Sequence, residues 1–284
     1  MASSMSIQYP ATSAPPRAIP RWWGNVRMVT RIALVFAFTF GFLVTRLTLA
    51  PLRWWAPPAV DWRIRAFIQK FWGRGTAWIM GLRITVIGKE PDDPYFLVSN
   101  HLSYVDIVAF SGWVRCIFVA MKEMSGWPLI GYTITQMQTI FIDRLKPRDA
   151  VRVNDAVTKA LTEGKSVIMF PEATTSTGDE VLPFRGAILD AAVRLGHPVH
   201  YATIQYHPTP SCPNPGRTIC WVDETPFGEH VCGLLRARRT KATITFAPDP
   251  ITATTRKDLA LQLEAAVRRQ LLGTPEALAT PEAE

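Results

Sequence analysis

A chain of 284 residues that is 48% apolar holds enough material for one large core plus an appendage, which excludes a small disulfide-held module. Its net charge of +8 points to an anionic partner. With no zinc-finger spacing and no RNA-binding aromatic signature, nucleic acid is set aside in favour of a membrane surface. Seven of the ten tryptophans (Trp22, Trp23, Trp54, Trp55, Trp62, Trp72 and Trp78) lie early in the chain beside arginines, the composition of a water–lipid interface.

Residues 1–24, rich in Ser, Pro and Ala, are expected to be disordered. Six arginines and no acidic residue precede Asp61. The first apolar run lies too far from the start, without a convincing cleavage site, for a secretory signal, and a transit peptide fits the charge bias without being required. That run, residues 32–45 between Arg31 and Arg46, would span about 21 Å as a helix against a hydrocarbon core of roughly 30 Å. It reads as a segment dipping into one leaflet. The alternative is a tilted single span extended to Arg53, with Arg46 snorkelling to the interface. Residues 54–82 group Phe67, Ile68, Phe71 and Trp72 at helical spacing among Arg63, Arg65, Lys70 and Arg74, a basic amphipathic helix suited to a membrane surface or to packing on a domain. Gly73-Arg74-Gly75 is no nucleotide loop, because Trp78 stands where a third glycine belongs and no strand precedes it. Residues 25–82 thus form a membrane-associated unit, followed by a domain over 83–272 and a loose acidic tail, 273–284.

From Arg83 the pattern becomes α/β. Strands are expected at 83–87, 95–99, 117–120, 139–142, 166–170, 199–204, 218–222 and 242–246, with helices at 147–163, 187–195 and 256–271. This alternation implies a mixed, largely parallel sheet flanked by helices, with its site at the strand ends. Cys116, Cys212, Cys220 and Cys232 form no CxxC pair and read as free thiols.

The densest chemistry follows the strand at 95–99, in Asn100-His101-Leu102-Ser103-Tyr104-Val105-Asp106. A neutral imidazole takes a proton near pH 7, and a carboxylate on its other nitrogen sets the tautomer. On one helix, five residues put side chains about 140° apart, so His101 must precede a helix starting near Ser103 if it is to meet Asp106. Arg144, after the strand at 139–142, suits bidentate capture of phosphate or carboxylate. Glu172, Thr174, Thr175, Ser176 and Thr177 make a polar loop able to bond a head group, and Lys122-Glu123 adds charge to the same rim. Each cluster alone is also compatible with an ordinary surface loop. His197, His200 and His207 lack a further ligand at metal spacing, and no metal or cofactor is expected.

Together these residues resemble the glycerolipid acyltransferase family, which includes bacterial 1-acylglycerol-3-phosphate acyltransferases. The family's NHxSxxD motif matches Asn100, His101, Ser103 and Asp106 in full. Its GxxFIDR motif matches Phe141 to Arg144 with Gln138 at the glycine position. FPEGTRS matches Phe170, Pro171, Glu172, Thr174 and Ser176, with Ala173 for glycine and Thr175 for arginine, and a fourth, proline-containing strand is approximated by residues 198–204. The resemblance implies O-acyl transfer from an acyl thioester, carried by acyl carrier protein or coenzyme A, to the hydroxyl of a lyso-lipid. It implies His101 as base, Asp106 as its orienter, Arg144 on the acceptor's anionic group and Glu172 on a lipid hydroxyl or polar group. Thr174, Thr175 and Lys122 would line the same acceptor site. No Gly-x-Ser-x-Gly elbow is present, consistent with direct attack. Losing the third-motif arginine leaves Arg144 with at most Lys122 or Arg185 to meet a phosphate monoester, and the motif looks closer to bacterial lyso-ornithine lipid acyltransferases. The resemblance implies membrane association, on the cytoplasmic face of the inner membrane in a bacterium. The run Arg236, Arg238, Arg239, Lys241 would meet an acidic carrier or anionic lipid. Rival readings are a non-catalytic lipid-binding module and a lipid hydrolase.

Overall fold

Strands apolar on both sides cannot face water, so they must lie in a sheet covered by helices on each face. The computed structural model describes residues 21–273 other than 128, 147, 223 and 224; the expected disordered N-terminal stretch up to residue 20, the acidic tail beyond 273 and the proline opening the 147–163 helix lie outside the described residues. In chain order the elements are α1 (Arg21–Thr48), α2 (Pro58–Met80), β1 (Leu82–Ile87), β2 (Phe96–Ser99), α3 (Val105–Ser111), β3 (Cys116–Met121), α4 (Ile130–Gln136) and β4 (Ile140–Ile142). Then come α5 (Asp149–Thr162), β5 (Ser166–Met169), α6 (Asp190–Leu195), β6 (Val199–His207), α7 (Pro215–Thr218), α8 (Phe227–Arg236), β7 (Thr240–Phe246) and α9 (Arg256–Gly273).

The seven strands form one sheet in the order β1-β7-β6-β2-β5-β3-β4. β6, β2, β5, β3 and β4 are mutually parallel, β7 runs antiparallel to β6, and β1 parallel to β7. The period-two rule divides the core. Phe96, Val98, Val167 and Met169 face α5, α6 and α9 through Val153, Val157, Ala191, Leu259 and Leu263. Leu97, Ile168, Ala202 and Ile204 face the opposite layer, with Ala77, Met80, Phe110, Leu234 and Leu235. The mixed, largely parallel α/β architecture is therefore present, with its parallel strands all ending at one edge.

The expected strand at 218–222 is not formed. Asn214 Oδ1 accepts from the Arg217 N–H at 3.1 Å and Pro215 opens the turn, so α7 replaces extended chain there. β6, moreover, already has β2 and β7 on its two edges. Conversely β6 runs past residue 204 to His207, because β7 pairs with it as far as His207↔Lys241. α4 and α8 were not anticipated. Gly228 and Gly233 weaken the helical pattern of α8, and α4 is only two turns long.

The N-terminal unit differs most from expectation. α1 begins at Arg21, inside the stretch expected to be disordered, and its 28 residues reach about 42 Å, so shortness does not prevent it from spanning a bilayer. Residues 22–48 are long and apolar enough to cross a membrane, but both ends of this helix are pinned to the domain. Arg27 donates to the carbonyl of Arg236, and Arg31 to those of Leu235, Ala237 and Arg238, the open C-terminal end of α8. Arg46, which would have snorkelled in the single-span alternative, is buried and donates to the carbonyl of Gln136 in α4. Between these anchors Phe38 meets Phe71, and Phe42 meets Trp72, whose indole N–H donates to Thr39 Oγ1 at 3.1 Å.

α2 thus packs on the domain and also keeps an outward face: Ala66, Trp72, Ala77 and Met80 are buried while Phe67, Phe71 and Trp78 are exposed. Gly73-Arg74-Gly75 lies within it as a crossing point. A Cβ on Gly73 would sit 2.4 Å from the backbone N of Gly112, and one on Gly75 would sit 2.4 Å from the Phe38 ring. Replacing Gly73 by Ala should therefore destabilise the fold by about 1–3 kcal/mol through overpacking. Gly41→Ala in α1, with nothing within 4 Å, should be neutral or stabilising by up to about 1 kcal/mol. Thermal unfolding of the two detergent-solubilised variants checks the pair.

Candidate active site

Parallel strands deliver their C-terminal residues to one edge, which is where the sequence clusters converge. His101 follows β2, Glu172 follows β5, Lys122 follows β3 and Arg144 follows β4. At about 4.8 Å per strand, the end of β4 stands on the order of 14 Å from that of β2, so Arg144 and Lys122 form an outer rim around a centre at His101.

At that centre His101 Nδ1 and Asp106 Oδ2 are 2.9 Å apart. The spacing argument holds: His101 lies in extended chain, Asp106 lies in the first turn of α3, and the bend between them closes the pair. The same Oδ2 accepts the N–H groups of Leu102 at 2.7 Å and Ser103 at 2.9 Å. Oδ1 accepts the Tyr206 hydroxyl at 2.7 Å. An ionised carboxylate only accepts, so Nδ1 carries the imidazole proton and Nε2 is left with the lone pair. Nε2 has no hydrogen-bond partner among the described residues, and the side chain keeps 13% of its surface open. Its ring stacks on Phe170 with centroids 4.3 Å apart and planes 15° apart, which fixes its orientation from the other side.

Asn100 does the work of a backbone rung. Its Nδ2 donates to the Ile204 carbonyl at 2.9 Å and its Oδ1 accepts the Ile204 N–H at 2.8 Å, extending the β2–β6 pairing past its last register pair. Glu172 lies beside the dyad but is turned to the main chain. Oε1 accepts the His101 N–H at 2.9 Å and Oε2 the Leu182 N–H at 3.2 Å, and the residue is buried. Burial pushes its carboxyl up to about 8, against the pull of those two N–H groups and with the nearby charges of Asp106 and Glu180. Each Glu172 oxygen already holds one main-chain N–H.

Around it, Ser176 N donates to the His101 carbonyl at 3.0 Å, so the third motif also clamps the first. Thr175, standing where the resemblance expects arginine, is spent internally: its hydroxyl donates to the Trp221 carbonyl. Thr174 is exposed. On the rim, Lys122 Nζ lies 3.6 Å from Asp143 Oδ2, and Lys146 lies at the same distance from that oxygen. Arg144 is open to solvent, and the protein around it, with the like charge of Arg185, lowers its pKa while Glu123 raises it. Arg144, Arg185 and Glu123 therefore share one field. Arg185 beside Arg144 agrees with the expectation that it could join that cation, whereas Tyr206 was not expected. Ala202, Ile204 and Tyr206 alternate on one face of β6, and extending the strand reading to His207 would have exposed Tyr206.

This geometry can be set beside known proteins. The family model described as Acyltransferase matches residues 83–205, which holds His101, Asp106, Arg144 and Glu172. A lyso-ornithine lipid O-acyltransferase of Rhodobacter capsulatus is 30% identical over 270 residues, covering 89% of this chain and 93% of that protein. This chain belongs to the acyltransferase family. A 1-acyl-sn-glycerol-3-phosphate acyltransferase of Neisseria meningitidis is 34% identical over 147 residues, 51% of this chain and 57% of that protein. The crystal structure of the 1-acyl-sn-glycerophosphate acyltransferase from Thermotoga maritima superposes with a TM-score of 0.67 at 18% identity, over 93% of this chain and 99% of that one, and so shares its fold.

Both of this acyltransferase's departures from motif glycines keep a left-handed backbone, with φ 62° at Gln138 and φ 59° at Ala173. A Cβ in that conformation costs about 1–2 kcal/mol. Ala173→Gly, after the extra chain entropy glycine brings to the unfolded state, should raise stability by roughly 0.5–1 kcal/mol. Ala156→Gly, within α5, should lower it by about as much. Chemical denaturation of both variants measures the contrast.

Proposed function

We propose that this acyltransferase transfers a fatty acyl chain from an acyl thioester to the hydroxyl of a lyso-lipid, with lyso-ornithine lipid as acceptor. One observation carries the reading: His101 is tied through Nδ1 to a buried carboxylate, leaving Nε2 unbonded at the edge where the parallel strands end. Nε2 takes the proton of the acceptor hydroxyl as its oxygen forms a bond to the thioester carbonyl carbon. Collapse of the tetrahedral adduct breaks the C–S bond, and the imidazolium returns the proton to the leaving sulfur. Asp106 orients the base and stabilises its charged form, and Glu172 positions the His101 main chain. Thr174, Thr175 and Lys122 stay on the acceptor side as contributors to shape and charge.

For the acceptor, three relatives whose names carry lyso-ornithine lipid align over 86–89% of this chain, whereas the 1-acyl-sn-glycerol-3-phosphate enzyme of Neisseria meningitidis aligns over 51%. The rim agrees with that preference. A second cation is absent from the Thr175 position, and Arg144 with Arg185 beside Glu123 offers a carboxylate site next to an ammonium site. Ornithine carries both groups. The donor is the thioester of acyl carrier protein or of coenzyme A, both anionic.

The enzyme works as a monotopic membrane protein, with α1 lying along the bilayer surface. Val26, Val29, Phe36, Phe40, Val44 and Leu47 form one exposed stripe on α1, continued by Phe67, Phe71 and Trp78 on α2. Arg83 stacks over Trp78 at 5.6 Å and pairs in register with Lys241, and Arg236 and Arg239 are exposed nearby, a basic border for anionic head groups on the cytoplasmic leaflet.

Purified enzyme given one acyl donor and both lyso-lipids should acylate lyso-ornithine lipid in preference. His101→Ala should lose about 10²–10⁴-fold of the activity. Clear preference for 1-acylglycerol-3-phosphate overturns the acceptor, full activity in His101→Ala overturns the base, and release of free fatty acid without transfer makes the protein a hydrolase. In flotation with anionic vesicles, the wild type should rise with the lipid. A Phe36→Glu, Phe40→Glu, Phe67→Glu variant should stay below; its flotation alongside the wild type would refute the surface assignment.

A further inference from the structure

Asp106 has two oxygens, and only Oδ2 touches the imidazole. The other, Oδ1, has one hydrogen-bond partner among the described residues, the hydroxyl of Tyr206 at 2.7 Å. Tyr206 is buried on β6, and its ring packs in the core layer that holds Leu102, Val105 and Ile204. Its placement is not left to that packing alone. Asn100, directly before His101, grips both backbone groups of Ile204, two residues ahead of Tyr206 on the same face of the strand. The segment bearing the base is thus tied to β6 at two points, once through the main chain and once through the carboxylate.

We infer that Tyr206 is a positioning residue for acyl transfer, holding the Asp106 carboxylate at its far oxygen so that the near one stays on His101 Nδ1. The inference rests on the reading of His101 as general base. Leu102 N and Ser103 N hold Oδ2 in place, but a carboxylate bonded only through that oxygen can still pivot about it and tilt its lone pair away from the imidazole. A donor on Oδ1 removes that freedom and spreads the charge over both oxygens. Tyr206 donates without surrendering its proton, because burial first, and then the charge of Asp106 and the hydrogen bond itself, hold its phenol well above the usual range. The ionisable groups facing the dyad are Glu172 from the end of β5, Cys220 from the segment before α8, Tyr104 at the start of α3, and Tyr206 from β6. Of these, Tyr206 alone hydrogen-bonds the carboxylate.

Tyr206→Phe keeps the ring and deletes the bond. With acyl thioester and lyso-lipid, kcat should fall roughly 10- to 100-fold while KM for the acceptor holds, since the rim at Arg144 is untouched. The acid limb of the kcat/KM profile should move up by roughly half a unit to one unit, because a carboxylate stripped of a donor holds the protonated base more tightly. A purely structural loss would scale activity without moving that limb. In the His101→Ala background, Tyr206→Phe should have no further effect on residual transfer, since the two act in series. Melting curves identify a variant that fails to fold, in which case 3-fluorotyrosine at position 206, a stronger donor of nearly the same shape, should move the acid limb down instead, and an unmoved limb there counts against the proposal. An unmoved limb with wild-type kcat, or an equal further loss in the His101→Ala background, overturns the proposal and leaves the base reading intact. Full activity in His101→Ala alone overturns the base reading itself.

Discussion

A carboxylate with no solvent contact is tolerated only when its charge is answered, and Asp106 is answered four times. Leu102 N, Ser103 N, His101 Nδ1 and Tyr206 Oη all point at it. Such a group cannot move without stranding several donors, and a buried unpartnered charge or N–H is costly. The rest of the site is arranged around this fixed point. The bend from β2 into α3 exists to close on Asp106, and β6 is extended to bring in Tyr206. Ser176 and Glu172 bind the main chain of His101 from the third motif, so this histidine is held on its ring, its backbone and its tautomer. Glu172 illustrates how a polar residue near a site can serve it indirectly: its oxygens are consumed by N–H groups of the two loops it joins.

The same rigidity extends to the membrane-facing layer. Arginines at both ends of α1 satisfy the unpaired carbonyls that close α8 and α4, which turns a helix of spanning length into a strap along the domain. The contacts Phe38–Phe71 and Phe42–Trp72, with Gly73 allowing α2 close to the end of α3, then join strap, second helix and catalytic layer into one body. A lipid surface bound by the outer stripe would stand in a set relation to the strand edge carrying His101.

Where the chain departs from its family's motifs, it changes side chains without changing backbone. Gln138 and Ala173 keep the left-handed conformation that glycine would adopt freely. Thr175 gives up a charge and ties its hydroxyl to Trp221. The departures therefore leave the His101–Asp106 pair in place and remove a charge from the neighbouring loop, with Arg144, Arg185 and Glu123 remaining on the rim.

Much of this was legible in the order of the residues. Apolar runs of four to six residues identify β2, β3 and β5, whose burial on both faces is a local property of composition. The five-residue spacing of His101 and Asp106 already requires a turn between them, and the motif set names the chemistry. Other features depend on what lies opposite. Residues 218–222 carry a strand-like pattern, but the Asn214–Pro215 turn opens a helix into them and both edges of β6 are already occupied. Arg46 reads as a snorkelling cation until α4 presents a carbonyl to it. The two N–H groups on Glu172 come from separate loops, and Tyr206, a hundred positions from Asp106, lies beyond the expected end of its strand. Sequence alone determined which groups are present and how they are spaced along the chain. Tertiary structure decided which of them are already partnered, because a hydrogen bond across the sheet depends on register and strand order, and no pattern of neighbours along the chain encodes those.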